Sequence, residues 1–183
     1  AALDTDLNLF PNKDVVVFPE PVSAPDGTLS YAVLHRPMWD LGWILGQGEE
    51  SYLPAGLDDS RPGIWISYAP VESVERNRSA LTHLGQHRLV ALPAYDYEEL
   101  KIGAGPAPIR VDEGWLLIHH GVSGELAEGW APQERVRYSA GAMLLDGADP
   151  SRLLARTAQP LLEPEVAEET NGVVPNVVFP TAI

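Results

Sequence analysis

Residues 18–36 read FPEPVSAPDGTLSYAVLHR, and residues 105–120 read GPAPIRVDEGWLLIHH. In both stretches a proline-rich segment is followed by an acidic residue and a glycine, and then by an apolar run that ends in two basic side chains. Acidic-glycine pairs are typical of turns, and short apolar runs between turns are typical of strands. A third copy begins at residues 178–183, VFPTAI. The chain is therefore built from repeated units, and this repeat is the main evidence for its fold class.

Two more strands are expected after the repeated strand of each unit. They lie at residues 63–69 and 88–92 in the first unit and at residues 138–146 and 153–157 in the second. Helical periodicity is weak throughout, and four antiparallel strands repeated along a chain are typical of β-propeller blades. The sequence thus predicts an all-β fold in which residues 1–183 belong to a single β-propeller domain, with units at 12–100, 101–174 and 175–183, the last one incomplete. A β-sandwich is the competing interpretation, although a sandwich does not require such a repeat.

The units are longer than ordinary blades of about 40–50 residues, so they carry insertions. These fall at residues 38–62, 71–86 and 123–137, and such insertions are expected to crowd the mouth of the central channel. The segment 71–84 is polar, starts with a β-branched residue and is followed by Gly85. We predict a loop there, with at most one helical turn.

The composition excludes several classes of protein. The 183 residues carry a net charge of −14, contain no cysteine and are 45% hydrophobic. These values argue against a disordered acidic tail, a disulfide framework, thiolate metal sites and a cysteine nucleophile. The twelve basic residues form no run that would bind nucleic acid. No apolar run approaches the length of about 18 residues that a membrane span needs, and no signal peptide is recognisable, so a cytoplasmic protein is predicted.

Aligning the two repeats places Arg36 at the position of His120, and His35 at the position of His119. Two blades that face one axis would then present two cationic side chains to one anion, with Lys13 close by. A local cationic pocket in an acidic protein would suit a small anion such as phosphate. The alternative is that His35 and His119 pack between sheets, while Arg36 and His120 cap strand ends. Lys13 and Lys101 would then be solvated surface residues.

Other motifs carry less information. Residues 103–105 (Gly-Ala-Gly) are followed by two prolines that forbid the helix of a phosphate-binding loop, so Gly105 is expected instead to allow a close backbone approach in the channel. His119 and His120 are adjacent on a strand and point to opposite faces, so they cannot easily share a metal ion. Among the carboxylates, only Asp146 follows an apolar strand in a way that would let it face the channel.

Several long segments together resemble glycoside hydrolase family 130, the β-mannoside phosphorylases and related enzymes. They occur in order along nearly the whole chain: NKDVVVFPE at 12–20, LHRP at 34–37, IWISY at 64–68, KIGAGPAPI at 101–109, GWLLIHHGV at 114–122, LLD at 144–146, ART at 155–157 and PNVVFPT at 175–181.

The resemblance implies a five-bladed β-propeller whose active site lies in the central funnel. It also implies inverting cleavage of β-mannosidic bonds by inorganic phosphate, the co-substrate, with no other cofactor and no metal. The family's funnel Lys and His correspond to Lys13 and His120, which become phosphate or substrate ligands. Arg36 and Asp146 are the further binding candidates, Asp146 as an acceptor for a sugar hydroxyl.

One departure from the family pattern is important. The family's general acid is an Asp in a Glu-Asp-Pro-Arg block that precedes Asn-Lys-Asp, and this sequence contains no such block. No catalytic residue is therefore assigned, and the general acid is expected upstream of residue 1. By this comparison the chain corresponds to the third and fourth blades and the first strand of the fifth. It lacks the N-terminal blades and the C-terminal end of the family pattern.

The sequence thus predicts inverting phosphorolysis of a β-mannoside when the protein is full length, with a small mannose-containing oligosaccharide as the binding partner. Two alternatives stay open: a β-mannoside hydrolase on the same scaffold, and a carbohydrate-binding propeller without catalytic activity. The insertion at 38–62 is expected to shape either the acceptor subsite or a subunit contact, so homo-oligomer formation is left open as well.

Overall fold

The computed structural model of the protein describes residues 6–39, 53–54, 56–127 and 133–183. Most of the insertion at 38–62, and with it the predicted acceptor subsite or subunit contact, lies outside the described residues. Part of the insertion at 123–137 does too. In the described part of the chain, no helix is long and apolar enough to cross a membrane.

The first sheet contains five antiparallel strands from the first repeat. They are β1 (Asn12–Val17), β2 (Val22–Ser23), β3 (Leu29–Pro37), β4 (Ile64–Pro70) and β5 (Gly85–Ala91). Their order is β1-β3-β4-β5, and β2 pairs with the same strand, β3, as β1 does. The turn between β2 and β3 contains Gly27 at a φ of 85°, a left-handed conformation that glycine adopts without strain.

The second sheet repeats this arrangement. Its strands are β6 (Lys101–Ala104), β7 (Ile109–Val111), β8 (Gly114–Gly124), β9 (Val136–Leu145) and β10 (Leu153–Arg156). Their order is β6-β8-β9-β10, and β7 pairs with β8. The all-β prediction and the expected third and fourth strands of each unit are confirmed.

The repeated prolines explain why each sheet has five strands and not four. In the first sheet β1 and β2 both pair with β3, and residues 18–21, which contain two prolines, separate them. In the second sheet residues 105–108 separate β6 from β7 in the same way. Proline has no N–H to donate to a ladder, so it interrupts the strand at the edge of each sheet. Each sheet is therefore a four-stranded blade whose first strand is broken.

The core lies between the two sheets. Phe18, Leu34 and Ile66 of the first sheet region belong to the same buried cluster as Trp115 and Met143 of the second. The rings of Phe18 and Trp115 meet edge to face, with centroids 5.0 Å apart. Burying such large apolar side chains contributes about 2 kcal/mol each and fixes the two sheets against one another.

The segment after β4 differs from the prediction of a loop. Residues Val71–Arg76 form a six-residue helix, α1, and residues Arg78–Thr82 form a 3₁₀ helix. Only Val74 of this segment is buried, so the sequence shows almost no apolar periodicity. A second helix, α2, spans only Ala167–Thr170.

The predicted third unit does not form a strand in this structure. Val177 makes a single parallel bridge with Tyr138 of β9, and Pro180 packs against Gly105. A Cβ at Gly105 would lie 2.8 Å from Ile118 O and 3.0 Å from Pro180 Cγ. The close approach expected at Gly105 is thus an approach to the third copy of the repeat. The division into units at 12–100, 101–174 and 175–183 stays a prediction.

Candidate functional site

Cationic side chains from the two sheets meet where β1 and β3 of the first sheet approach β6 and β8 of the second. Lys13 on β1 is the strand partner of Arg36 on β3, and Lys101 begins β6. The chain contains only two lysines, and both lie here, although its net charge is −14. We call Lys13, Asp14, Arg36, Lys101 and His120 the cationic cluster.

Arg36 is the centre of the cationic cluster. Its Nη1 lies 3.1 Å from Asp14 Oδ2, 3.4 Å from His120 Nε2 and 3.5 Å from Ile102 O. Asp14 Oδ2 is also 3.5 Å from His120 Nε2. Arg36 and His120 are buried, so a guanidinium from the first sheet joins an imidazole from the second away from bulk water. The prediction that the two repeat positions face one another is consistent with these distances.

A bulge in β1 turns Asp14 toward this centre. The β1–β3 register shifts between Lys13 and Val16, and Asp14 has a φ of 53°, in the left-handed region that non-glycine residues rarely adopt. The carboxylate fills the space that a side chain on Gly103 would need. A Cβ at Gly103 would collide with Asp14 Oδ2 and with His120 Cε1. Gly103 is therefore required for this packing and not for a phosphate-binding loop.

His120 was expected to present a cation, but its surroundings favour the neutral ring. Burial, together with the charges of Arg36 and Lys101, lowers the pKa of His120 to about 3. Because Arg36 Nη1 can only donate, His120 Nε2 accepts and the proton of the neutral ring is on Nδ1. The ring centroids of Phe179 and Tyr138 lie 4.4 Å and 6.0 Å from the centroid of the His120 ring. His120 thus helps to orient Arg36 and contributes no charge.

The positive charge comes from Lys13, Arg36 and Lys101. Burial and the charges of Arg36 and Lys13 lower the pKa of Lys101 to about 8, so it remains largely protonated at neutral pH. Its Nζ lies 5.9 Å from the centre of the Tyr138 ring. Burial raises the pKa of Asp14, and the charges of the three nearby cations offset only part of this rise. Three cations face one carboxylate here, so the cationic cluster has an unmatched positive charge that an anion can neutralise.

His35 and His119 point to the other faces of their strands, as the alternation along a strand requires. His35 Nδ1 lies 2.8 Å from Asn12 Oδ1. His119 Nε2 lies 2.7 Å from Glu98 Oε1, and Glu98 is fully buried. These two histidines make contacts inside the fold, in line with the alternative interpretation in which His35 and His119 are packed within the protein and do not bind an anion. Among the described residues, no group of His, Asp and Glu could hold a metal ion.

Asp146 is not part of the cationic cluster, contrary to the expectation that it faces the channel. Its Oδ1 accepts from the N–H groups of Ala148 and Asp149 at 2.8 Å and 3.0 Å, and its Oδ2 pairs with Arg152 at 3.4 Å. Leu145, the residue before Asp146, pairs with Trp115. Trp115 lies five residues along β8 from His120, which corresponds to about 17 Å. Asp146 therefore holds the turn that follows β9.

Three members of the site were not among the predicted ligands: Asp14, Lys101 and Tyr138. Lys101 could have been found, because it stands at the start of the second unit as Lys13 stands at the start of the first. Asp14 depends on a bulge and Tyr138 on a neighbouring strand, and no sequence pattern shows either.

Comparison with known proteins agrees with this architecture. The family model of glycoside hydrolase family 130, described as beta-1,4-mannooligosaccharide phosphorylase, matches residues 56–183. The chain is 34% identical, over 92% of its length, to the beta-1,2-mannobiose phosphorylase of Listeria innocua. It is 31% identical, also over 92% of its length, to the 1,2-beta-oligomannan phosphorylase of a Thermoanaerobacter species. The chain belongs to glycoside hydrolase family 130.

The structural comparison gives the same result. A solved complex of the Listeria innocua beta-1,2-mannobiose phosphorylase with beta-1,2-mannobiose matches 92% of this chain with a TM-score of 0.61 at 32% identity. The family fold is a five-bladed β-propeller, so the predicted fold class is confirmed, and the two sheets described above are blades of it. The chain spans 36% and 42% of the lengths of the two curated relatives, and 36% of the solved chain.

Proposed function

We propose that the protein catalyses inverting phosphorolysis of a β-mannoside and that the cationic cluster binds the attacking phosphate. Relatives named as mannobiose, oligomannan and mannooligosaccharide phosphorylases support the reaction type. The carrying observation is that both lysines of an acidic chain converge with a buried arginine at the junction of two blades. A hydrolase needs no anion site of this kind, so the cationic cluster favours phosphorolysis over hydrolysis.

In this reaction an oxygen of phosphate forms a bond to the anomeric carbon of the mannosyl unit while the glycosidic C–O bond breaks. The leaving oxygen keeps the bonding electrons and takes a proton from a general acid, and the product is α-mannose 1-phosphate. Phosphate itself is the nucleophile, so the protein must hold an anion in line with the bond. Lys13, Arg36 and Lys101 supply the charge, and Asp14 and His120 fix the direction of Arg36.

The general acid is not assigned to any residue of this chain. Asp14 is the only carboxylate of the described residues that we place in the cationic cluster, and it is ion-paired with Arg36. We propose that an aspartate elsewhere in the full-length protein donates the proton. We also propose that phosphate is the sole co-substrate, that a small mannose-containing oligosaccharide is the other substrate, and that the protein acts in the cytoplasm.

The test is an assay of the intact protein with β-1,2- and β-1,4-mannobiose, each with and without inorganic phosphate. We expect mannose 1-phosphate to form only when phosphate is present. Equal release of free mannose in phosphate-free buffer would identify a hydrolase, and binding of mannobiose without turnover would identify a non-catalytic propeller.

A pair of variants connects the activity to the cationic cluster. Lys13→Met removes one cluster charge, whereas Arg76→Met removes an exposed charge whose only ion pair in the described structure is with Glu72 on the same helix. We expect Lys13→Met to raise the KM for phosphate by about tenfold or more, because a lost charge-assisted contact costs about 1.5–3 kcal/mol. Arg76→Met should leave that KM unchanged. An equal effect of both substitutions would remove Lys13 from the phosphate site.

A further inference from the structure

A closed ring of hydrogen bonds crosses the first sheet beside the cationic cluster. Four strands each supply one side chain: Asn12 from β1, His35 from β3, Ser67 from β4 and His87 from β5. Ser67 Oγ lies 2.7 Å from both His35 Nε2 and His87 Nδ1, and His35 Nδ1 lies 2.8 Å from Asn12 Oδ1. The backbone of Leu7 closes the ring: its N–H donates to His87 Nε2 over 3.4 Å, and its carbonyl accepts from Asn12 Nδ2 over 3.2 Å.

With both histidines neutral, the donor and acceptor atoms fix the direction of every bond in this ring. Asn12 Nδ2 donates to two backbone carbonyls, so the Oδ1 of this amide is the atom that faces His35. An amide oxygen can only accept, so the proton of His35 is on Nδ1. His35 Nε2 then accepts from the Ser67 hydroxyl, and Ser67 Oγ accepts from His87 Nδ1. His87 Nε2 is left to accept from the backbone N–H of Leu7.

Both histidines must be neutral for the ring to close. The ring contains five hydrogen bonds, each with one proton, and a sixth proton has no acceptor within it. Burial lowers the pKa of His35 to about 4 and also lowers that of His87. The charged groups near His87 are Asp6, whose Oδ1 lies 3.9 Å from Nε2 and opposes this shift, and Arg88, which adds to it. Among the described residues, His87 is the titratable group whose charge acts on His35.

The ring holds the part of β1 that the strand ladder holds poorly. Asn12 pairs with Pro37, which has no N–H to donate, and the register shifts directly after Lys13. In the described part of the sheet β1 is an edge strand, with β3 as its neighbour. The side chain of Asn12 is therefore a principal anchor of the backbone that carries Lys13 and Asp14 into the cationic cluster.

We propose that Asn12, His35, Ser67 and His87 are positioning residues, which hold Lys13 and Asp14 in place for phosphate through this closed ring. The inference rests on the proposed function, since it assigns the ring a role in binding the phosphate of that reaction. None of the four side chains needs to touch phosphate. Through the hydrogen-bonded ring, the strands β3, β4 and β5 hold the first residues of β1 in place.

Ser67→Ala is the sharpest test, because it removes one atom and breaks two bonds of the ring. Ser139→Ala is the matched control, since Ser139 is equally buried, lies on a strand of the second sheet, and its Oγ has no hydrogen-bond partner among the described residues. Both variants are assayed in the intact protein, with phosphate varied at saturating mannobiose and mannobiose varied at saturating phosphate.

We expect Ser67→Ala to raise the KM for phosphate about tenfold, because a tenfold change corresponds to the free energy of about one hydrogen bond. The kcat and the KM for mannobiose should stay within about twofold of the wild-type values. Ser139→Ala should change none of the three. An equal phosphate KM in the two variants, or a loss confined to kcat, overturns the positioning role. A wild-type protein that cleaves mannobiose without phosphate contradicts the proposed function instead, so the two failures are distinguishable.

A second measurement needs no variant. Nitrogen-15 chemical shifts of the histidine rings in the intact wild-type protein report which ring nitrogen carries the proton. The ring requires the Nδ1–H form for both His35 and His87 at pH 7, assigned by comparison with single His→Gln variants. Finding the Nε2–H form or a charged ring for either histidine overturns the closed ring even if Ser67→Ala does not fold.

Discussion

Lys101 connects the charge of the cationic cluster to its dependence on pH. Burial and two neighbouring cations bring its pKa down to about 8, within the range of an ordinary enzyme assay. Protonated Lys101 attracts an anion, and neutral Lys101 does not. The affinity for phosphate should therefore fall as the pH rises through about 8.

This gives a prediction for Lys101→Met. In the wild-type protein we expect the KM for phosphate to rise between pH 7.5 and pH 9, and in Lys101→Met we expect a KM that is about tenfold higher at pH 7 but flatter over the same interval. Steady-state kinetics at varied phosphate across this pH range measures both effects. An unchanged alkaline rise in Lys101→Met would assign the pH dependence to another group.

Gly103 gives a second prediction at the scale of one residue. Gly103→Ala places a methyl group where the Asp14 carboxylate and the His120 ring already lie. We expect a loss of phosphorolysis of about 100-fold or more, because displacing Arg36 and its partners by about 1 Å removes the alignment of phosphate. Gly85→Ala is the control, since a Cβ there meets nothing within 4 Å. Comparable activity in the two variants would show that the packing at Gly103 does not matter for the reaction.

At this scale the sequence predicted part of the site. Lys13, Arg36 and His120 could be found because the repeat and the family motifs mark their positions. The neutral state of His120 could not be predicted, because it results from burial between two sheets. Asp146 follows an apolar strand, as the sequence indicated, but its carboxylate accepts hydrogen bonds within the next turn and lies outside the cationic cluster.

At the scale of elements, Glu98 connects three parts of the second sheet. Its carboxylate lies 2.7 Å from His119 Nε2 on β8 and 2.7 Å from Arg156 Nη1 on β10, and it accepts from the backbone N–H of Ala94. Although burial alone raises the pKa of Glu98, these hydrogen bonds and the charge of Arg156 hold it below its usual value. The first sheet uses a neutral ring of hydrogen bonds at the equivalent histidine, and the second uses a buried ion pair.

Glu98→Gln should therefore destabilise the protein. The substitution leaves the buried guanidinium of Arg156 without its carboxylate, and breaking a buried pair in this way costs about 3–5 kcal/mol. Glu99→Gln, at the exposed neighbouring position, should cost less than about 0.5 kcal/mol. Urea denaturation followed by tryptophan fluorescence measures both. A cost for Glu98→Gln no larger than that for Glu99→Gln would contradict the structural role of the pair.

The strands were predictable because alternation, turns and the repeat all indicate them. The helix α1 was not, because a six-residue helix with one buried side chain has no apolar face to detect. Helix formation there depends on tertiary context, which local sequence does not contain.

At the scale of the whole molecule, four of the five histidines are buried: His35, His87, His119 and His120. Burial lowers the pKa of each below the ordinary value. The unfolded chain therefore binds more protons than the folded chain below about pH 6.5. The stability that these neutral rings provide is fully present above that pH, and for His35 it is lost as the pH falls toward about 4.

We predict that the melting temperature falls by several degrees between pH 7 and pH 5, above the range in which most carboxylates titrate. A histidine such as His35 loses about 2 kcal/mol over this interval, and 1 kcal/mol corresponds to about 2–4 °C for a domain of this size. Circular dichroism melts at pH 7, 6 and 5 measure the change. A constant melting temperature would mean that the buried rings become protonated without cost.

A phosphate site at the cationic cluster should bind inorganic phosphate at equilibrium, without any sugar substrate. Isothermal titration calorimetry of the intact protein with inorganic phosphate at pH 7 should give one site. In Lys13→Met/Lys101→Met the affinity should fall by at least about tenfold, while Arg76→Met binds as the wild type does. Equal phosphate affinity in the wild type and the double lysine variant would contradict a phosphate site at the cationic cluster.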